Sequence, residues 1–229
     1  MNVWLALYVK ELREHRGVYG GLAAAAILLY TFILTQVEGE ASALFLTGFP
    51  VWVTAALLPF ALVRSFSGEW RASTHYFLLA LPVRPGLIAL VKWMAPMSVG
   101  LVIFGVSLAG VHLLQVEFQV TGQFFKQFGA TPRALLRYVN TQYLATVVAL
   151  LGIALAWVGV RHAVPVHRVP LSIVYLTVTL ILFFQLLRPS YGLLEGVVGT
   201  VWIPVIFSFV FGLVYTAIGV FLFDRYVEV

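Results

Sequence analysis

Two short segments carry the densest chemistry in this chain. One is the leader MNVWLALYVKELREHRG, in which Lys10, Glu11, Arg13, Glu14 and Arg16 crowd behind an apolar half. The other is EWRASTHYFLLALPVRPGLIALVKW, residues 69–93, where Glu69, Arg71, His75, Arg84 and Lys92 surround the apolar ridge FLLAL. Neither has the makings of a catalytic centre. With no cysteine there is no disulfide framework, thiolate metal site or cysteine nucleophile. No G-x-x-x-x-G-K-[ST] run is present to cradle a nucleotide phosphate, and no H-E-x-x-H to hold a catalytic zinc. HAVPVH, residues 162–167, has two histidines without adjoining acidic or sulfur ligands. Ser67 falls in the predicted cytoplasmic loop, and no serine–histidine pair stands out within the spans to make a nucleophile at membrane depth. The expectation is therefore no catalytic, cofactor or metal site, and charges that serve contacts between surfaces.

The elements that hold these charges follow from composition. Of 229 residues, 62% are hydrophobic and 10% charged, against about a quarter charged in soluble domains. The mean hydropathy is +0.99. Apolar runs of about 20 residues are each long enough to cross a hydrocarbon layer of roughly 30 Å as helix. The sequence predicts an all-α polytopic membrane protein with six spans, at 18–37, 44–63, 93–115, 141–160, 170–187 and 199–223. None of these contains Asp, Glu, Lys or Arg. The fifth, at 18 residues, is near the lower limit for a span. With the N-terminus inside, ten Lys and Arg residues fall on the cytoplasmic side and four outside, which predicts both termini in the cytoplasm.

The spacing of Trp4, Tyr8 and Leu12 gives the leader one apolar face, with Lys10, Glu11, Arg13, Glu14 and Arg16 expected on the wet side. That pattern suits an interfacial helix, turning inward at Gly17. Between the second and third spans, residues 64–92 form the predicted cytoplasmic loop. Ser73 or Thr74 can cap a short helix bearing Phe77, Leu78 and Leu81, Pro82 stops it, and Pro85 can start the next. A cytoplasmic helix with an apolar ridge needs either a partner or the lipid headgroups. Outside, residues 116–140 are expected to hold a short helix opened by Thr131 and Pro132, with Phe124, Phe125 and Phe128 in the interface. Gly17, Gly21 and Ala25, then Gly152, Ala156 and Gly159, and later Gly192 and Gly196, mark small faces where helices can meet. His112, within the third span, is expected to line a substrate path or to bond across helices, and Pro59 and Pro96 to kink their spans.

Glu69, Thr74, Leu78, Leu79, Leu81, Pro82, Val83, Arg84 and Lys92 together resemble the cytoplasmic loop of type-2 ATP-binding-cassette (ABC) exporter permeases. That family's loop runs as an acidic residue, Gly-Thr, Leu-Leu, a small residue, Leu-Pro-Val, a basic residue and a later Lys, and Ser73 replaces the usual Gly here. The leader's YVKELREHR is similar to the family's Lys-Glu-Leu-rich amphipathic start. The resemblance implies a coupling helix that docks on a cytoplasmic ABC ATPase subunit through Glu69, Thr74, Leu78, Leu79 and Pro82. It implies an interfacial helix carrying Trp4, Tyr8, Lys10, Glu11 and Arg13. ATP and magnesium would be bound by two copies of that ATPase, and a second permease chain, identical or related, would complete the pump. The implied setting is a bacterial plasma membrane. The implied function is export of a hydrophobic or amphipathic substrate; the alternative is a secondary transporter or membrane scaffold with no ATPase partner.

Overall fold

The computed structural model describes residues 3–36, 40–71, 83–117, 132–164, 168–198 and 200–226. All the described elements are helical: α1 (Val3–Glu14), α2 (Arg16–Gln36), α3 (Glu40–Arg71), α4 (Pro85–Glu117), α5 (Pro132–Ala163), α6 (Arg168–Val198) and α7 (Ile203–Tyr226), with a 3-10 turn at Thr200–Trp202. Six of them, α2 to α7, are long and apolar enough to cross a membrane. The protein is thus an all-α polytopic chain, as its composition predicts.

Helix boundaries depart from the expected spans, most by running longer, while α7, with 24 residues, starts four residues later than expected. The segment α3 continues through Ser65 and Glu69 to Arg71, and α4 begins at Pro85, so Lys92 lies two turns inside a helix. Pro85 occupies the first helical position, where its missing N–H costs nothing, and the Arg84 carbonyl accepts from Leu87 N at 2.9 Å. The other proline start holds as well, since α5 begins at Pro132 and runs unbroken to Ala163. The fifth span is longer than expected. Instead of ending at residue 187, α6 extends 31 residues and carries Pro189 within it. Proline is tolerated inside a membrane helix when neighbouring side chains take up freed carbonyls. The carbonyl that Pro189 leaves without its helical donor is that of Gln185; beside it, the Ser190 hydroxyl donates to the Leu187 carbonyl at 2.6 Å.

The core lies where α3, α4 and α5 meet: Leu58, Leu62 and Phe66 pack with Ala95, Val99 and Ile103 and with Tyr143, Val147, Leu151 and Leu155. Helix α5 is central, with 67% of its span buried, while α6 is peripheral at 6%. The closest helix pair is α5 with α7. A Cβ on Gly212 would fall 2.6 Å from the Ala149 backbone, and one on Gly219 would fall 2.9 Å from Ala156 N. On the facing side, a Cβ on Gly152 would collide with the Gly212 carbonyl, and one on Gly159 would fall 2.9 Å from Leu222 Cβ. Glycines seven apart on both helices therefore let two backbones touch, the small-residue mode of membrane packing. The small face at Gly152, Ala156 and Gly159 meets α7 as its composition suggests, whereas Cβ atoms at Gly17, Gly21 and Gly192 would meet open space.

Polar links hold the apolar helices in register. Tyr30 of α2 donates to Ser107 of α4 at 2.8 Å, and Ser107 donates to Asn140 of α5 at 2.7 Å. Tyr215 of α7 donates to Thr179 of α6 at 3.2 Å, and Tyr175 of α6 to the Ile153 carbonyl of α5 at 2.9 Å.

Candidate functional site

Each of the helices α1, α3 and α4 has a stripe of residues facing its neighbours, and each stripe contains charge. On α3 the stripe is Leu58, Leu62, Ser65 and Glu69; on α4 it is Ile88, Lys92, Ala95 and Val99; on α1, Glu11 follows Leu7 by four residues. Spacings of three, four and seven place such residues on one helical face. The three stripes converge, and the charged members meet inside the protein.

Lys92 is at the centre, only 2% exposed. Its ammonium has three donors and three acceptors: Glu11 Oε2 at 2.9 Å, Glu69 Oε2 at 3.0 Å and Ser65 Oγ at 2.7 Å. The Ser65 hydroxyl accepts from Lys92 and donates its own hydrogen bond to Glu11 Oε1. His15 Nε2 approaches the same Glu11 oxygen at 3.3 Å, and Lys10 Nζ reaches Glu69 Oε1 at 3.1 Å and Glu14 at 3.4 Å from the rim. The Phe66 ring covers Lys92, its centroid 5.3 Å from Nζ. Glu11 and Glu69 are 3% and 6% exposed, so two buried carboxylates are balanced by one buried ammonium and the rim lysine.

Burial alone would raise the Glu11 carboxyl. The His15 hydrogen bond, the Lys92 charge and the Ser65 hydroxyl outweigh it and hold the group at about 2. Lys10 moves upward: its partial burial opposes the charged form, but the Glu69 carboxylate, with Glu14 and Glu11, favours it more strongly. The carboxylate oxygens of Glu11, Glu14 and Glu69 come within 4.8 Å of one another, close enough to share a metal ion. The ammonium groups of Lys10 and Lys92 already occupy that space and supply the positive charge, so the arrangement is an ion-paired joint between helices.

Further contacts bind the same end of the bundle. Asp224 of α7 accepts the Gly86 N–H at 2.7 Å, capping the first turn of α4 from 138 residues away. A Cβ on Gly86 would meet that carboxylate at 2.7 Å. Trp70 of α3 packs on His162 of α5, centroids 4.1 Å apart, and Phe66 on Phe223 of α7 at 4.9 Å.

Against the residues expected to be functional, this geometry makes two corrections. Glu11 does not lie on the wet side of the leader; it is buried, because Lys92 and Ser65 offer it better partners than the helix surface would. Glu69 is not displayed for docking, since its carboxylate is spent on Lys92 and Lys10. Trp4 and Tyr8 stack at 5.9 Å and pack against Leu7, Ile88 and Val91, while Lys10 and Arg13 are exposed. The bend after α1 falls at His15, two residues before Gly17. A groove of about 530 Å³ follows the outer face of α1, lined by Leu5, Ala6, Val9, Lys10, Arg13 and Glu14. His112 is exposed on α4, with no hydrogen bond to another described residue. Thr74, Leu78, Leu79 and Pro82 lie outside the described residues, as do Phe124, Phe125, Phe128 and Thr131. The joint itself and the Asp224 cap are absent from the sequence expectations. The readable signal was a charge within an apolar stripe on each of three helices.

Fold and site together define a polytopic helical membrane protein whose first helix is locked by buried ion pairs to two spanning helices. No family model, curated protein or solved structure matches the chain.

Proposed function

We propose that this chain is the membrane-spanning permease subunit of an ABC exporter, moving a hydrophobic or amphipathic substrate with ATP hydrolysed on a separate subunit. The observation that carries this reading is the double engagement of Lys92 with Glu11 and Glu69. Helices α3 and α4 bracket residues 72–82, the segment that bears most of the exporter-like motif. Their facing ends are fastened to each other and to α1 by one buried cluster. A load applied to the intervening segment therefore reaches α1 and two spanning helices together.

In this reading Thr74, Leu78, Leu79 and Pro82 meet the ATPase, and Glu69 acts from within as the anchor of the outgoing stem. The interfacial helix α1 presents its groove to the cytoplasm. Two permease chains with two ATPase copies rock the spans between inward and outward access, in a bacterial plasma membrane with both termini cytoplasmic.

The test is purification from native membranes in mild detergent. A stoichiometric ATP-binding chain should accompany the protein and be lost in Leu79→Asp. A chain recovered without a nucleotide-hydrolysing companion overturns the proposal in favour of a secondary transporter or scaffold.

A further inference from the structure

Two of the spanning helices carry an outward stripe that ends in an arginine. On α3 the exposed residues Val53, Leu57 and Phe60 are followed at the same helical spacing by Arg64. On α7 the exposed residues Val214, Ile218 and Phe221 are followed by Arg225. Both stripes have the positions i, i+4, i+7 and i+11, so each is one straight face. The aromatic member is the most exposed in each case, Phe60 at 72% and Phe221 at 61%. These faces are apolar along the span and cationic at one end of the bundle.

That end is also where α1 lies. Arg64 precedes Ser65, whose hydroxyl bonds Glu11 of α1. Arg225 follows Asp224, which caps the first turn of α4. Both arginines thus lie toward the end of the bundle that carries α1.

The described acids at that end are committed elsewhere. Glu11 and Glu69 hold Lys92, Glu69 and Glu14 hold Lys10, and Asp224 holds the Gly86 N–H. Neither Arg64 nor Arg225 has an acidic partner among the described residues. An apolar track ending in an unneutralised guanidinium has the complementary form of one amphiphile, with acyl chains along the track and a phosphate on the arginine. Guanidinium matches phosphate with paired N–H donors.

We propose that Arg64 and Arg225 each seat an anionic phospholipid of the surrounding bilayer, its acyl chains lying along Val53, Leu57 and Phe60 or along Val214, Ile218 and Phe221. A zwitterionic lipid brings the same phosphate together with an ammonium that offsets it, so the seats discriminate by net headgroup charge. One arginine at a membrane surface favours an anionic lipid by about 1 kcal/mol, or roughly fivefold.

The test is native mass spectrometry of the full chain released from detergent containing equimolar dioleoyl phosphatidylglycerol and dioleoyl phosphatidylcholine. The wild type should retain phosphatidylglycerol preferentially, at up to two molecules per chain. Arg64→Gln and Arg225→Gln should each lower the preference for one bound lipid roughly fivefold, and the double variant should abolish it. Arg64→Lys, which keeps the charge, should keep most of the preference. Arg84→Gln removes the same charge from an exposed arginine that ends no stripe, and should leave retention unchanged. Equal retention of both lipids by the wild type overturns the proposal. An Arg84→Gln effect as large as that of Arg64→Gln also overturns it, because net charge rather than a seat would then explain retention.

Discussion

Lys92→Met puts the buried joint under direct load. Methionine keeps much of the lysine volume but removes the charge, leaving Glu11 and Glu69 with Lys10, at the rim, as their remaining lysine partner. Two carboxylates only 3% and 6% exposed cannot both stay ionised at low cost. The protein's escape is to protonate one of them. Protonating a glutamate of ordinary pKa about 4.3 at pH 7 costs about 2.7 × 1.36, or about 3.7 kcal/mol, which falls within the 3–5 kcal/mol range for breaking a buried pair. The variant should therefore lose about 4 kcal/mol at pH 7, read as an earlier midpoint when SDS is titrated into dodecyl maltoside micelles. At pH 5 the same protonation costs about 1 kcal/mol, so the deficit should shrink by about three quarters. The sign is that of a carboxyl raised in the folded variant: its stabilising share is present at low pH and lost as pH rises. Adding Glu69→Gln to Lys92→Met should recover most of the loss at pH 7. A deficit below about 1 kcal/mol at pH 7, or one that does not narrow at pH 5, would refute the joint as described.

Three further outcomes follow from other contacts. The wild type should lose about 3 kcal/mol between pH 4.5 and pH 2, because Glu11 is depressed from 4.5 to about 2 and its contribution disappears as acid protonates it; an acid titration of unfolding should show that component missing in Glu11→Gln. Gly212→Ala should destabilise by about 2–3 kcal/mol in the SDS titration, since the new methyl meets Ala149 backbone at 2.6 Å, while Gly20→Ala, facing open space, should stay within about 0.5 kcal/mol of wild type. Asp224→Ala should cost about 1 kcal/mol by uncapping α4, and Asp224→Asn, which keeps an acceptor for the Gly86 N–H, should restore most of it in the same titration.

The parts of this architecture that follow local rules were readable from sequence. Six apolar runs became six long helices, Pro85 and Pro132 opened the helices they were expected to open, and the glycine face of α5 found a partner. What escaped was pairing between distant positions. Glu11 and Lys92 are 81 residues apart, and Gly86 and Asp224 138 apart. Periodicity assigns a face to each helix but does not say which faces meet. The rule that charges lie outside spans also misled: it began the third span at residue 93 and kept Lys92 on the cytoplasmic stretch of its helix, when Lys92 is tolerable inside because its three donors are satisfied. Within α1, Glu11 looked like one more solvated charge because five charged residues follow one another closely. Its place four residues beyond Leu7 separated it from Lys10 and Arg13.

At the glycine contacts, α5 and α7 approach backbone to backbone, with only Leu155, Thr216 and Leu222 side chains at the edges, so little room remains to accommodate a shift of one against the other. Such a pair resists sliding and behaves as a rigid strut. Any large rearrangement of this protein has to pivot around that strut, and the helices left to swing are the lightly held outliers: α6, with 6% of its span buried, and α2, with 22%.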